Sequence, residues 1–297
     1  MDSPQKAFED YTHAEVVEAN RRLYADWSNH YNERVITDDS HRRLHALLST
    51  AISTLRKTPY PRQTIRALDA CGGTGNAAFI LYEFGCDVTL VDISPGMVLQ
   101  FEDRCRREGK QIRTIISDVS TFFEQATETW DLIVFSSALH HFRYPDTILL
   151  SALCRLTSGD LVITVADPTT NIRRMWFKAL SLIDRSLYAL RKDPESFWRA
   201  VAGKLFQNHR AQAYGSVQQP PNIGRIAEYQ AQIGIDDDAL VTKLSSLGYS
   251  VLFHKRYSGG YNRVFQVIYR RLKTETSFCL IVSNRDNIHV DLSTVFI

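Results

Sequence analysis

The sequence predicts an α/β fold, and three observations carry the prediction. From residue 65 onward, short apolar runs alternate with helical patterns. A glycine cluster closes the first run. Single glycines at 85, 109 and 159 then stand between a helical and a strand pattern, where left-handed C-terminal caps belong. Strand, helix and strand at this rhythm mean parallel strands joined by crossover helices.

The elements follow in order. The first apolar run, 65–70, leads into the glycines, and a helical stretch then stops at Gly85. The second run, 87–91, reaches Asp92. Ser94 is placed to cap the next helix and Pro95 to open it, since its missing N–H costs nothing there. That helix stops near Gly109. Further runs cover 112–117, 131–136 and 160–166, with a helix from about Pro145 to just before Gly159. After Pro168 the rhythm breaks for about seventy residues. It resumes with a helix over 236–247, Gly248 as its stop, and apolar runs at 250–254 and 278–282, which are expected to pair side by side.

This divides the chain into an N-terminal helical cover (1–60), an α/β core (61–168), an inserted helical cap on the substrate side (169–235) and a C-terminal part of the core with a tail (236–297). In the insert, Ile172, Met175, Trp176, Ala179, Leu180, Ile183, Leu187 and Leu190 recur at helical spacing and predict one apolar face. Nine Lys/Arg stand against three Asp/Glu over 171–210. Three roles suit such a cap: the apolar face docks on the core, the cations gather an anionic substrate, or the helix meets an anionic, lipid-like surface.

Composition narrows the function class. Of 297 residues, 44% are hydrophobic and 23% charged, ordinary globular values that exclude disordered, collagen-like and coiled-coil classes. A net charge of +2 is too mild to imply nucleic acid. The five cysteines are odd in number and none share a metal-type or redox-type spacing. The polar N-terminus lacks an apolar signal core, and no run of eighteen apolar residues occurs. A cytoplasmic protein without a transmembrane segment is expected.

The sharpest local signal is Leu68-Asp69-Ala70-Cys71-Gly72-Gly73-Thr74-Gly75-Asn76. Glycines at a strand-to-helix turn let backbone approach a ligand closely. Asp92, at the end of the second run, suits the two hydroxyls of a ribose. The glycines are crowded and preceded by an acid, unlike the dinucleotide pattern. This combination resembles motif I of the class I S-adenosylmethionine-dependent methyltransferases, and most of all the ubiquinone/menaquinone-type small-molecule enzymes. The resemblance covers roughly 65–167 and 236–282.

The resemblance implies a Rossmann-like class I methyltransferase fold, with a mixed seven-stranded sheet flanked by helices and carrying a helical cap. It implies S-adenosyl-L-methionine as cofactor and S-adenosyl-L-homocysteine as product. Asp69, Gly73 and Gly75 match the residues lining the methionine and ribose part of the cofactor. Asp92 matches the ribose acid, Ile93 the residue beside the adenine, Asp118 the acid that reads the adenine amino group, and Ser136 the position facing the methionine moiety. Cys71 stands where the motif has its first glycine, which implies a modest change of loop shape.

His140 and His141 follow the fourth run, at the sheet edge where ligands bind. Either imidazole can take a proton near neutral pH, with His141 the favoured base. Tyr24, Trp27 and Tyr31 share a helical face. Aromatic rings there suit a sulfonium cation and exclude water, so Tyr24 and Tyr31 join the expected cofactor site; core packing explains the same spacing. No residue pattern requires a metal. The expected reaction is in-line methyl transfer to an O, N or C atom of a small acceptor, specialised-metabolite or quinone-like. An RNA- or protein-modifying methyltransferase and a non-catalytic cofactor-binding scaffold are the alternatives.

Overall fold

Near-continuous apolar runs form the centre of the molecule, because parallel strands are covered by helices on both faces. The computed structural model describes residues 11–27, 38–57, 64–192, 194, 195, 198 and 223–284. Its strands are β1 (Arg66–Ala70), β2 (Asp87–Asp92), β3 (Arg113–Ile116), β4 (Trp130–Ser136), β5 (Leu156–Pro168), β6 (Ser250–Tyr257) and β7 (Ser277–Ser283). They form one seven-stranded sheet in the order β3-β2-β1-β4-β5-β7-β6. β1 to β5 pair in parallel, and β7 runs antiparallel between β5 and β6. The expected mixed seven-stranded sheet is therefore present. The strand order reverses between β1 and β4, which opens a ligand crevice beyond their carboxyl ends.

The helices are α1 (His13–Trp27), α2 (Asp38–Arg56), α3 (Asn76–Glu83), α4 (Pro95–Glu108), α5 (Val119–Gln125), α6 (Pro145–Leu153), α7 (Met175–Lys192), α8 (Ile223–Ala227), α9 (Tyr229–Ile233), α10 (Asp237–Ser246) and α11 (Arg263–Arg271). Ser94 accepts the Met97 N–H and Pro95 opens α4, as its sequence implies. One apolar layer packs α2, α3 and α4 on the sheet. A second packs α5, α6 and α10 on the other face. α2 therefore belongs to the core, through Leu47, Leu48, Ala51 and Ile52, and among the described residues of the expected cover it is α1 that lies over the site. No described helix is long and apolar enough to cross a membrane.

Two boundaries differ from expectation. α6 ends at Leu153, and Gly159 (φ +85°) sits inside β5 rather than capping a helix. It lies where the β4–β5 register shifts between Trp130 and Leu132, so β5 takes up extra residues there as a bulge.

The insert leaves and returns at one point. Thr169 bridges Ile235, and the Ile235 N–H donates to the Pro168 carbonyl at 2.8 Å. The contact is so close that a Cβ on Gly234 (φ +76°) would stand 2.1 Å from the Thr169 oxygen. Only glycine fits.

The expected apolar docking face of the cap is corrected by the structure. Met175 (81% exposed), Trp176, Ile183 and Leu187 face outward, and the buried residue of α7 is Asp184. The inward stripe is rotated by about one residue and carries Phe177 and Tyr188, which contact the Tyr269 and Tyr261 rings at 5.4 and 5.3 Å. Polar bonding decides this orientation. The Asp184 carboxylate accepts the Tyr261 and Asn262 backbone N–H groups at 2.9 and 3.0 Å and the Asn262 amide at 2.7 Å. It thus ties α7 to the segment that enters α11, satisfying two backbone N–H groups just before that helix. Residues 199–222 of the insert and the tail 285–297 lie outside the described residues.

Replacing Asp184 with alanine should strand those N–H groups and cost about 2 kcal/mol. Urea unfolding monitored by circular dichroism measures this, and Asp184→Asn should retain part of the stability.

Candidate active site at the carboxyl edge of the sheet

β1 delivers Asp69 to the crevice and the glycine turn folds over it. The Asp69 carboxylate is 1% exposed. Its Oδ2 accepts the Ala78 N–H at 2.9 Å, while Oδ1 is buried without a partner. At Gly75 (φ +83°), a Cβ would stand 2.1 Å from the Phe101 ring, so only glycine lets the turn close. Cys71 holds φ +59°, the left-handed backbone that glycine adopts freely, so the turn forms without the motif's first glycine. Burial and the Asp92 charge push the Cys71 thiol well above its usual range, which makes it a poor nucleophile.

β2 places Asp92 beside this turn. Its Oδ2 accepts the Gly73 N–H and its Oδ1 the Ser94 N–H, both at 2.8 Å. Each oxygen keeps one acceptor position for a ligand. Burial, reinforced by Asp92, raises Asp69 to about 7. Burial raises Asp92 to about 6 against its two backbone hydrogen bonds.

A cleft opens in front of these acids. Asp69, Gly73, Asp92, Ile93, Asp118, Ser136 and Tyr24 line it, so seven of the expected cofactor residues meet there. Gly75 shapes the turn from behind without lining the cleft. Asp118 also caps α5, its Oδ2 accepting the Thr121 N–H at 3.0 Å. The roof is α1, through His13, Val16, Asn20 and Tyr24 among others. Tyr31 and the Trp27 side chain lie outside the described residues.

The chain turns after β4 through Leu139–His141. The two imidazoles lie 4.0 Å apart between centroids, but their surroundings differ. His140 is buried against Asp167: its Nδ1 lies 2.9 Å from Oδ1, which also accepts the His140 N–H at 3.1 Å. Burial opposes charge on His140, yet the Asp167 hydrogen bond and the Asp167 and Glu228 charges leave it raised. His141 lines the cleft. Burial and the neighbouring His140 push it down to about 4, so its ring is neutral at pH 7. Its Nε2 lies 3.3 Å from the Tyr24 hydroxyl, which donates to Glu228 Oε1 at 2.6 Å. With that hydroxyl proton committed to Glu228, His141 Nε2 is the donor to Tyr24. His141 Nδ1 is then a lone pair, buried without a partner.

Three participants escaped sequence reasoning. Asn20 ties α1 to this turn by donating to the His141 carbonyl at 3.2 Å. Asp167 had a usable signal, an acid closing an apolar strand. Glu228 had none, because it enters from the far end of the insert.

Residues 67–159 match a family described as methyltransferase domain. The chain is 31% identical to the magnesium-protoporphyrin O-methyltransferase of Rhodobacter capsulatus over 178 residues, 52% of this chain and 76% of that protein. It is 26% identical over 151 residues to an uncharacterized protein of a Synechococcus strain, covering 49% of this chain and 36% of that one. Among solved structures, the magnesium protoporphyrin IX methyltransferase of Synechocystis PCC 6803, with bound S-adenosylhomocysteine, aligns over 90% of this chain and 95% of its own. The TM-score is 0.51 and the identity 14%. A plantazolicin methyltransferase, also with the bound product, aligns over 91% and 96%, with TM-score 0.52 and 15% identity. These two likenesses are of fold.

Asp69 and Asp92 both titrate above the ordinary value of 3.8, at about 7 and about 6. Folding therefore draws from them a stability that is full below the unfolded value and lost as pH rises through 6 to 7. Asp69→Asn, which cannot acquire the buried charge, should melt above the parent at pH 8 and lose that advantage at pH 5. Ligand-free thermal melts across this range check the sign.

Proposed function

This chain belongs to the class I S-adenosylmethionine-dependent methyltransferases, and on that premise we propose that it methylates a small-molecule acceptor held under α1. The observation that carries the reading is Asp69 Oδ1, a buried acceptor with no partner on the same cleft wall as Asp92. A buried carboxylate without a cation is costly, and a cationic cofactor relieves that cost.

When bound, S-adenosylmethionine supplies a methyl group activated by its sulfonium. Asp69 Oδ1 would accept a hydrogen bond from the methionine ammonium. The two remaining acceptor positions of Asp92 suit the ribose diol. Ile93 and Asp118 would hold the adenine, and Ser136 the methionine chain. α1 excludes water and places the Tyr24 ring over the site, where an aromatic face favours a cation. The work left to the protein is alignment of the acceptor and reception of its proton. His141, which lines the cleft, is the group proposed to receive that proton.

A small acceptor is supported by the roof, since a macromolecular segment would have to displace α1. It is supported too by the relatives, whose names specify a magnesium-protoporphyrin and a plantazolicin substrate. Free thiols at all five cysteines support a cytoplasmic setting. The discriminating experiment feeds radiolabelled cofactor to the protein in a cell extract. Label should enter the small-molecule fraction; label in RNA or protein would refute the acceptor class.

Asp92→Ala should weaken S-adenosylmethionine binding about 10- to 100-fold, by calorimetry, through loss of charged hydrogen bonds. His141→Ala should lower kcat about 100-fold or more while cofactor affinity stays at the parent value. Unchanged turnover would remove His141 from proton handling.

A further inference from the structure

We propose that His140, His141 and Glu228 form a binding site for one divalent transition-metal ion of the zinc type, at the inner wall of the cleft. The proposal deepens the methyltransferase reading in its location and stands apart from it in its test.

Geometry is the first support. One ligand atom from each of the three residues lies within 4.8 Å of the others. His140 Nε2 is 3.8 Å from Glu228 Oε2, and His141 Nδ1 is 3.8 Å from Glu228 Oε1. Donors around a tetrahedral zinc, bound at about 2.0–2.1 Å, stand roughly 3.4 Å apart. Closing these atoms from within 4.8 Å of one another to that spacing would complete three positions and leave a fourth for water or an acceptor oxygen.

The aim of the two rings is the second support. His140 Nδ1 pairs with Asp167 and His141 Nε2 with Tyr24, so the remaining nitrogen of each ring is turned to the Glu228 carboxylate.

The surroundings are the third support. Metal-bound histidines donate their other ring N–H to an orienting acceptor, and here Asp167 and Tyr24 fill that role. Thr164 Oγ1 in turn donates to Asp167 Oδ2 at 2.7 Å. The second histidine–carboxylate cluster of the protein is built otherwise. Asp237 and His254 belong to it, but the Arg256 guanidinium holds Asp237 through two bonds, at 2.6 and 2.8 Å. That cluster owns its cation. Among the described residues, no lysine or arginine pairs with Glu228.

A metal here would cross-link the turn after β4 to the end of the insert, and through Tyr24 and Asn20 to the α1 roof. A cation and a proton exclude each other on these ring nitrogens. Where the metal binds, His141 becomes a ligand that orients the wall rather than the proton acceptor.

The test uses full-length, tag-free protein stripped by a chelator and titrated with cobalt(II), a spectroscopic substitute for zinc. Expected are one cobalt per chain, a visible d–d absorption band and a higher melting temperature. Glu228→Gln should weaken cobalt at least 10-fold, and Asp167→Asn about 10-fold through the lost orienting bond. S-adenosylmethionine binding is measured on the same samples. Cofactor binding without cobalt binding overturns the metal site and leaves the methyltransferase reading intact. Cobalt binding without cofactor binding does the reverse. Cobalt affinity unchanged in Glu228→Gln places the ion elsewhere and also overturns the proposal, and the band and stoichiometry of the parent protein decide the matter should that variant misfold.

Discussion

A carboxylate taken out of water must find compensation, and this requirement organises the molecule. Asp184 finds it in backbone N–H groups at a helix start. Asp237 finds it in a guanidinium. Asp167 finds it in an imidazole and a hydroxyl. Each is fully or almost fully buried, and each ties one element to another. Asp69 differs, because one oxygen has a backbone donor and the other has nothing. The protein satisfies the acids that hold its structure and leaves incomplete the one that lines the cleft.

That incompleteness sits where the backbone is also least relaxed. Cys71, Ser137 and Ala166 all adopt positive φ without being glycine, at the carboxyl ends of β1, β4 and β5. Such residues cost of order 1–3 kcal/mol each and persist where the surrounding structure over-determines them. Their effect here is directional. The irregular pairing between Val165 and Asp167 accompanies the swing of Asp167 toward His140, as bulges beside active sites re-aim side chains. The Ser137 N–H is held by the Val165 carbonyl at 2.7 Å, so the turn carrying the histidines is anchored to the same bulge.

Local chemistry is what the sequence made legible. Asp69, Cys71, Gly73 and Gly75 form one turn, and Asp92 follows one helix later, so their pattern survives in a linear reading. β1 to β5 were legible because buried parallel strands are continuous apolar runs. The place of β7 between β5 and β6 depends on pairing across a long connection, which no local pattern encodes. The cap helix misled because hydrophobic spacing is a sum over side chains, whereas one buried carboxylate with three donors outweighs several exposed apolar residues. Glu228 was invisible for a different reason: a lone acid between two short helices has no periodicity to betray it.

The pieces that were hardest to read are also the ones that act together. Ala19 and Leu23 of α1 pack on Ile223 and Ala227 of α8, so the roof of the cleft rests on the end of the insert. Tyr24 bonds Glu228 and Asn20 bonds the His141 carbonyl. The roof, the insert and the histidine turn therefore share one set of contacts, and the roof cannot lift without breaking polar bonds to both of the others. The glycine turn is braced separately, by Asp92 and Phe101. On the proposed function, cofactor binding falls to that wall, built on strand ends, and admission of the acceptor to the roof and insert, which meet the sheet through few elements. On that reading the acceptor specificity can change through α1 and the insert while the Asp69–Asp92 wall stays as it is.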